Sequence, residues 1–280
     1  MVITLAVHQL GDDGFTDLCR KRCDLHKRPR DPLFRHALGM IFARHDLNWG
    51  RRHQKLHPGP GTSREASPMD RTRARIRPYR PSDLDALYRI CLLTGDDGQD
   101  ASSLYKDPRL PGHFFAAPYG LFEPTLAFVA EDTAGVGGYI LGALDTRAFE
   151  ERLERMWWPH LRAHYPDPPA SVPGKQLTPD QQVAHMIHHP WRIPNELAAR
   201  YPSQLHIDLL PRLQASGLGR QMTTTLTAAL RAQGSPGVHL HVPRGNQHAA
   251  GFYRHIGFTE LLAALDELPA PHLLLFGMDL

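Results

Sequence analysis

The 280-residue sequence predicts an α/β domain built on a mixed sheet, and three observations carry that expectation. Strand-like and helix-like stretches alternate from Arg75 to the C-terminus. Two apolar segments, Leu126 to Ala130 and Val136 to Leu144, flank the turn-like Glu131-Asp132-Thr133-Ala134-Gly135 and so read as a β-hairpin. A further apolar strand, Leu205 to Leu210, ends at Pro211 and leads into a glycine-bearing helix start.

A basic arm precedes these elements. The net charge of +3 hides an asymmetry, because residues 1 to 75 carry 15 Lys and Arg against 8 Asp and Glu, so the remainder is acidic. The stretches from Cys19 to Arg30 and from His57 to Pro68 offer no apolar face of period 2 or 3.6. Residues 1–68 are therefore expected to be a poorly ordered arm and 69–280 the folded domain, with Met69 a candidate natural start. Leu33 to Leu47 is apolar but has no obvious partner. Cys19, Cys23 and His26 have the short spacing that zinc selects, yet a fourth ligand is missing. The arm's aromatics are too sparse to stack on bases, so nucleic acid is not an expected partner.

Three cysteines cannot form a disulfide framework and suit a reducing compartment. No apolar run approaches the roughly 20 residues that span a bilayer, and the first residues lack a secretory signal; a cytoplasmic location is expected.

Ala74 to Tyr79 reads as the first strand. Pro81-Ser82-Asp83 opens a helix with Leu84, Leu87, Tyr88, Cys91 and Leu92 at helical spacing, capped by Ser82 or Asp83. Gly95 to Pro124 is loop-rich and holds a short helix. The hairpin strands follow, and then 145–201 reads as a helical insertion, with one helix from Arg147 to Tyr165 and a second region from Thr178 to His189. After the strand at Leu205 come a helix over Leu218 to Leu230, a strand over Val238 to Val242, a helix over Gln247 to Ile256, and more strand material from Phe258 to Leu280.

The chemistry concentrates in two places. A helix start beyond a strand is an anion site, because its first N–H groups lack helical partners and the macrodipole adds partial positive charge. Gly217 and Gly219 allow phosphates to approach the main chain there, and Arg220 adds charge. A Walker loop would need Gly-Lys-Ser or Gly-Lys-Thr, and a dinucleotide fingerprint would need a third glycine where Met222 stands. Downstream, Ala249, Phe252, Tyr253 and Ile256 share one helix face, which turns Tyr253 inward.

The pattern Gln214-x-x-Gly217-x-Gly219 after a strand, followed by NQHAAGFYRHIGF one helix and one strand later, resembles the GNAT superfamily of acetyl-CoA-dependent N-acetyltransferases. The flanking strings YPSQLHIDLLPRLQASGLG and AFVAEDTAGVGGYILGALDT, with Trp157-Trp158, resemble the acetyltransferase-like domain at the C-terminus of O-GlcNAcase and its stand-alone bacterial relatives. This resemblance covers about Arg75 to Leu280. It implies a GNAT-like, mainly antiparallel central sheet flanked by helices, with the helical insertion between the third and fourth strands. It also implies acetyl-CoA as co-substrate and transfer of its acetyl group to a primary amine in a ternary complex. Leu209, Leu210, Gln214, Gly217, Leu218, Gly219, Arg220, Asn246 and Tyr253 would bind the cofactor. The main-chain N–H of Leu209 or Leu210 would hold the oxyanion, and Tyr253 would protonate the departing thiolate. For the base, strand alternation places His206 and Asp208 on one side, with Asp208 favoured.

The competing reading is a catalytically inactive acetyl-CoA-binding module used in protein interaction or sensing. A metal site is not expected: His185, His188 and His189 come without an HExxH pattern or a convincing carboxylate. The acceptor stays open, as does the choice between monomer and homodimer.

Overall fold

The computed structural model describes residues 74–169, 177–261 and 273–280. The expectations for residues 1–68, for Cys19, Cys23 and His26, and for Met69 lie outside them.

Among the described residues seven strands form one sheet in the order β1-β2-β3-β4-β5-β7-β6. They are β1 (Arg75–Pro78), β2 (Ala127–Asp132), β3 (Gly135–Ala143), β4 (Ser203–Leu209), β5 (Gly237–Pro243), β6 (Thr259–Glu260) and β7 (Leu273–Asp279). Every neighbouring pair is antiparallel except β4 and β5. The hairpin β2–β3 turns through Thr133 and Ala134, since Asp132 pairs with Gly135. The sheet is thus mixed and mainly antiparallel, as expected.

Before the hairpin come α1 (Leu84–Leu93), α2 (Leu110–Phe115) and α3 (Ala117–Phe122), so the loop-rich stretch holds two short helices where one was expected. Asp83 stands at the N-cap of α1, but neither it nor Ser82 caps the helix with its side chain. The Asp83 carboxylate turns back, accepting from the Arg80 N–H at 2.8 Å and from Arg77 at 2.7 and 2.9 Å. That half-buried pair fastens α1 to β1.

The insertion lies between the third and fourth strands as α4 (Thr146–Met156), α5 (Trp158–His164), α6 (Pro179–His188) and α7 (Asn195–Arg200). The single helix expected from Arg147 to Tyr165 is broken at Trp157. Pro159 has no N–H to give, and its ring clashes with a carbonyl one turn back, so the helix restarts with the proline in its first turn. The break turns both tryptophans inward. Trp157 is fully buried and donates its indole N–H to the His113 carbonyl at 2.9 Å, while Trp158 stacks on Phe114.

Two helices complete the domain, α8 (Leu218–Ala232) and α9 (Gln247–His255). Strand alternation gives each sheet face its own partners. On one face Ile140, Leu205, Val238, Leu240 and Phe276 pack against Leu218, Met222, Leu226 and Leu230 of α8 and Ala250 and Tyr253 of α9. A Cβ on Gly142 would come within 2.8 Å of Leu226, so glycine there lets α8 lie close to β3. On the other face Tyr139, Leu141 and Val129 meet Leu87, Ile90 and Cys91 of α1. No described helix is long and apolar enough to cross a membrane.

Candidate active site

The sheet opens between β4 and β5, the only parallel pair among the described residues. β4 and β5 are in register only at Ser203–Val238 and Gln204–His239, after which the strands part. In an antiparallel pair successive residues point their peptide groups alternately toward and away from the partner. Leu210 N–H donates to Gly137 O at 2.8 Å, toward β3, so the peptide groups of Leu209 face the opening instead. The Leu209 carbonyl there accepts from the Gln214 side chain at 2.7 Å. Leu210 is therefore excluded as an oxyanion donor: its N–H is taken by Gly137 and its carbonyl by Leu213 N–H. Its side chain is buried in the core on the α1 side of the sheet. Of the two, only Leu209 turns its N–H toward the opening.

After β4 the chain turns through Pro211–Leu213 into α8. Ala215 and Gly217 hold positive φ, 55° and 78°. Gly217 is the N-cap, and the first helical bond runs from Gln221 N–H to its carbonyl. The N–H groups of Leu218, Gly219 and Arg220 consequently have no partner within the helix. A Cβ on Gly217 would meet nothing within 4 Å, whereas one on Gly219 would approach the Phe252 ring at 3.2 Å. Gly217 thus borders open space, and Gly219 allows α8 and α9 to approach each other. The Leu218 side chain is a core residue, so only its main chain is available to a ligand. The Gln214 amide is committed to Leu209 and braces the loop against the strand end.

At α9, Asn246 is the N-cap and accepts from Ala249 N–H at 2.9 Å, which leaves its amide nitrogen for the cleft. Tyr253 is buried among Phe252, Phe258 and Phe276. Its hydroxyl makes no hydrogen bond among the described residues. Burial, with the charge of Asp208, raises its pKa far above the ordinary phenol value. Tyr253 therefore stays protonated and able to donate.

His206 and Asp208 share one face of β4, as alternation predicts. The cross-strand partner of Asp208 is Tyr139, whose hydroxyl donates to the Asp208 carboxylate at short range. Burial and that carboxylate hold the Tyr139 phenol well above its ordinary pKa, so it remains a donor. His206 Nε2 stands 3.1 Å from the same carboxylate oxygen, Oδ2, but off the line a hydrogen bond needs. The His206 ring stacks on Phe115 with centroids 5.9 Å apart. Oδ1 of Asp208 has no hydrogen bond among the described residues. Cys91 lies alongside, and burial pushes its thiol pKa far up, so it is neutral and inert. Sequence reasoning missed Tyr139, hidden in the apolar run of β3, because only the register with β4 brings it to Asp208.

His206, Asp208, Leu209, Gly217, Gly219, Arg220, Asn246 and Tyr253 border one cleft of about 1370 Å³ that runs from the start of α8, through the β4–β5 opening, to the underside of the insertion. That volume exceeds the roughly 300–1,000 Å³ of a drug-sized site and has room for a large ligand and a second, smaller one. The insertion end is walled by Phe114, Phe149, Trp158, Met186 and Trp191. His239 and His241 of β5 also border the cleft. Burial lowers the His239 pKa to about 4 and that of His241 well below the usual value, so neither is a useful base near neutrality.

Comparison with known proteins adds three findings. A family model described as FR47-like protein matches residues 194–265, which contain β4, α8, β5 and α9. Protein O-GlcNAcase of Rattus norvegicus and of Mus musculus is 28% identical over 189 residues, 66% of this chain but 20% of theirs. The chain spans about a fifth of the length of these curated relatives. The crystal structure of SsHAT is 38% identical and superposes with a TM-score of 0.66, covering 74% of this chain and 98% of that one.

Proposed function

The chain belongs to the GNAT superfamily of acetyltransferases, and from that premise we propose that it transfers the acetyl group of acetyl-CoA to a primary amine by direct attack in a ternary complex. The observation that carries the proposal is the β4–β5 opening. There the outward-facing Leu209 peptide, the unpartnered start of α8 and the unbonded Tyr253 hydroxyl border the same cleft as Asp208.

Each group has a task that its geometry suits. The pyrophosphate binds the N–H groups of Leu218, Gly219 and Arg220, with Arg220 and the Asn246 amide at its flanks. The thioester arm lies in the opening, its carbonyl oxygen accepting from Leu209 N–H, which stabilises the negative charge that grows there. The amine enters from the insertion side. Oδ1 of Asp208 takes its proton directly or through water, Tyr139 fixes the carboxylate, and His206 is the second candidate base. The amine nitrogen bonds to the carbonyl carbon, the C–S bond breaks, and Tyr253 gives its proton to the leaving sulfur. The products are an N-acetylated amine and free CoA, and the proton left on Asp208 passes to solvent while the Tyr253 phenolate takes one back, which restores both groups.

A panel of amines incubated with acetyl-CoA, read by thiol release and product mass, tests the proposal. At least one amine should release CoA and gain one acetyl group. Tight acetyl-CoA binding with no release across small amines, aminoglycosides, peptide N-termini and lysine peptides would instead favour a non-catalytic acetyl-CoA module.

A further inference from the structure

His185 and His189, unused by the proposed chemistry, meet a carboxylate that is distant in sequence. They stand four residues apart at the end of α6, one in its last turn and one at its C-cap, with ring centroids 4.5 Å apart. Asp167, on the segment leaving α5, places Oδ2 at 2.7 Å from His189 Nε2 and Oδ1 at 3.6 Å from His185 Nδ1. One ligand atom from each of the three residues lies within 4.8 Å of the others, and all three side chains are exposed to solvent. The third histidine, His188, faces elsewhere and bonds through Nε2 to the Tyr165 carbonyl at 2.8 Å. Arg162 bonds the Ile187 carbonyl at 2.9 Å, so the two segments are already held together beside the cluster.

We propose that Asp167, His185 and His189 form a binding site for a divalent transition-metal ion, Zn²⁺ foremost, that clamps α6 to the segment following α5. A histidine–aspartate hydrogen bond alone needs only one imidazole, and His185, at 3.6 Å, is not hydrogen-bonded to the carboxylate it faces. Two imidazoles and one carboxylate are a donor set that Zn²⁺, Cu²⁺, Ni²⁺ and Co²⁺ accept, whereas Ca²⁺ and Mg²⁺ prefer oxygen alone. Metal–ligand bonds of about 2.0–2.2 Å put tetrahedral donor atoms roughly 3.3–3.5 Å apart, which small rotations of exposed side chains supply here. Three protein ligands leave at least one position for water. None of the three lines the cleft, while Gln182, Val183 and Met186 on the inner side of α6 do. The ion would therefore steady the cover of the cleft without entering it, and the site stands apart from the proposed acetyl transfer.

The test uses the full chain carrying Cys19→Ser and Cys23→Ser, which silences the thiols of the arm, after stripping with a chelator. Titration with Co²⁺, followed by its visible absorption, and with Zn²⁺, followed by calorimetry, should show one equivalent bound. Asp167→Asn, His185→Ala and His189→Ala should each weaken binding at least tenfold, and His188→Ala should not. Zn²⁺ should raise the melting temperature of the parent chain and leave that of Asp167→Asn unchanged. Absence of uptake would overturn the proposal. So would uptake by Asp167→Asn and His185→Ala as tight as by the parent chain, or uptake that disappears instead with Asp208→Asn, which would place the ion at Cys91, His206 and Asp208.

Discussion

At the α8 end the cleft is bordered by two short stretches, Leu209 to Arg220 and Asn246 to Ile256, while at the insertion end it is bordered by residues from α1, α2, α3, α4, α5, α6, β4 and β5. The first end works through strand alternation and unpaired helical N–H groups, which many side chains would leave intact. The second works through Asp208, Tyr139, His206 and Phe115, whose positions depend on how distant segments pack. Binding and chemistry should therefore respond to different substitutions.

Asp208→Asn is the largest expected break. It keeps the size of the side chain and removes the proton acceptor, so turnover should fall about 10²–10⁴-fold while acetyl-CoA affinity changes little. His206→Ala is the control, and a larger loss there would move the base to His206. Steady-state rates with a confirmed amine decide between them.

Tyr253→Phe should act in the same sense but less strongly. The ring still packs on Phe258 and Phe276, and only the proton donor is lost. Turnover should fall roughly 10- to 1000-fold with unchanged affinity. Calorimetry and thiol release on one preparation would check it. Full turnover would remove the tyrosine from the mechanism without touching the fold.

The two ends also differ in how legible they were in the sequence. Gly217, Gly219, Asn246 and Tyr253 lie in two short stretches whose meaning depends on local conformation, and the structure brings both stretches to one cleft. The pairing of Tyr139 with Asp208 depends on the register between β3 and β4, which no periodicity reveals. Leu209 and Leu210 were indistinguishable until that register showed which N–H faces β3. The helix break at Trp157 had a local cause in Pro159 that the amphipathic pattern masked. Asp167 was invisible as a partner of His185 and His189 because the fold, not the spacing, brings it to them.

The insertion end should also be sensitive to acid. His239 is buried neutral, its Nδ1 bonded to the Tyr201 carbonyl at 2.8 Å, and burial lowers its pKa to about 4. The unfolded chain binds this proton near the ordinary pKa of about 6.5, so the contribution to stability is whole above that pH. It is lost as the pH falls from about 6.5 toward 4, amounting to about 3 kcal/mol in all. Chemical denaturation at pH 7 and at pH 4.5 should show the decline in the parent chain and a shallower one in His239→Gln.

The most direct measurement is calorimetric titration of acetyl-CoA into the parent chain and into Gly217→Val. Gly217 suits this better than Gly219, whose substitution would also press on Phe252. At Gly217 an added side chain enters open space at the helix start and strains a residue at φ 78° by about 1–2 kcal/mol. The account predicts one site per parent chain, an affinity at least about tenfold weaker in the variant, and a fold still intact by circular dichroism. Equal affinity in the two proteins, or no binding by the parent chain, would contradict it.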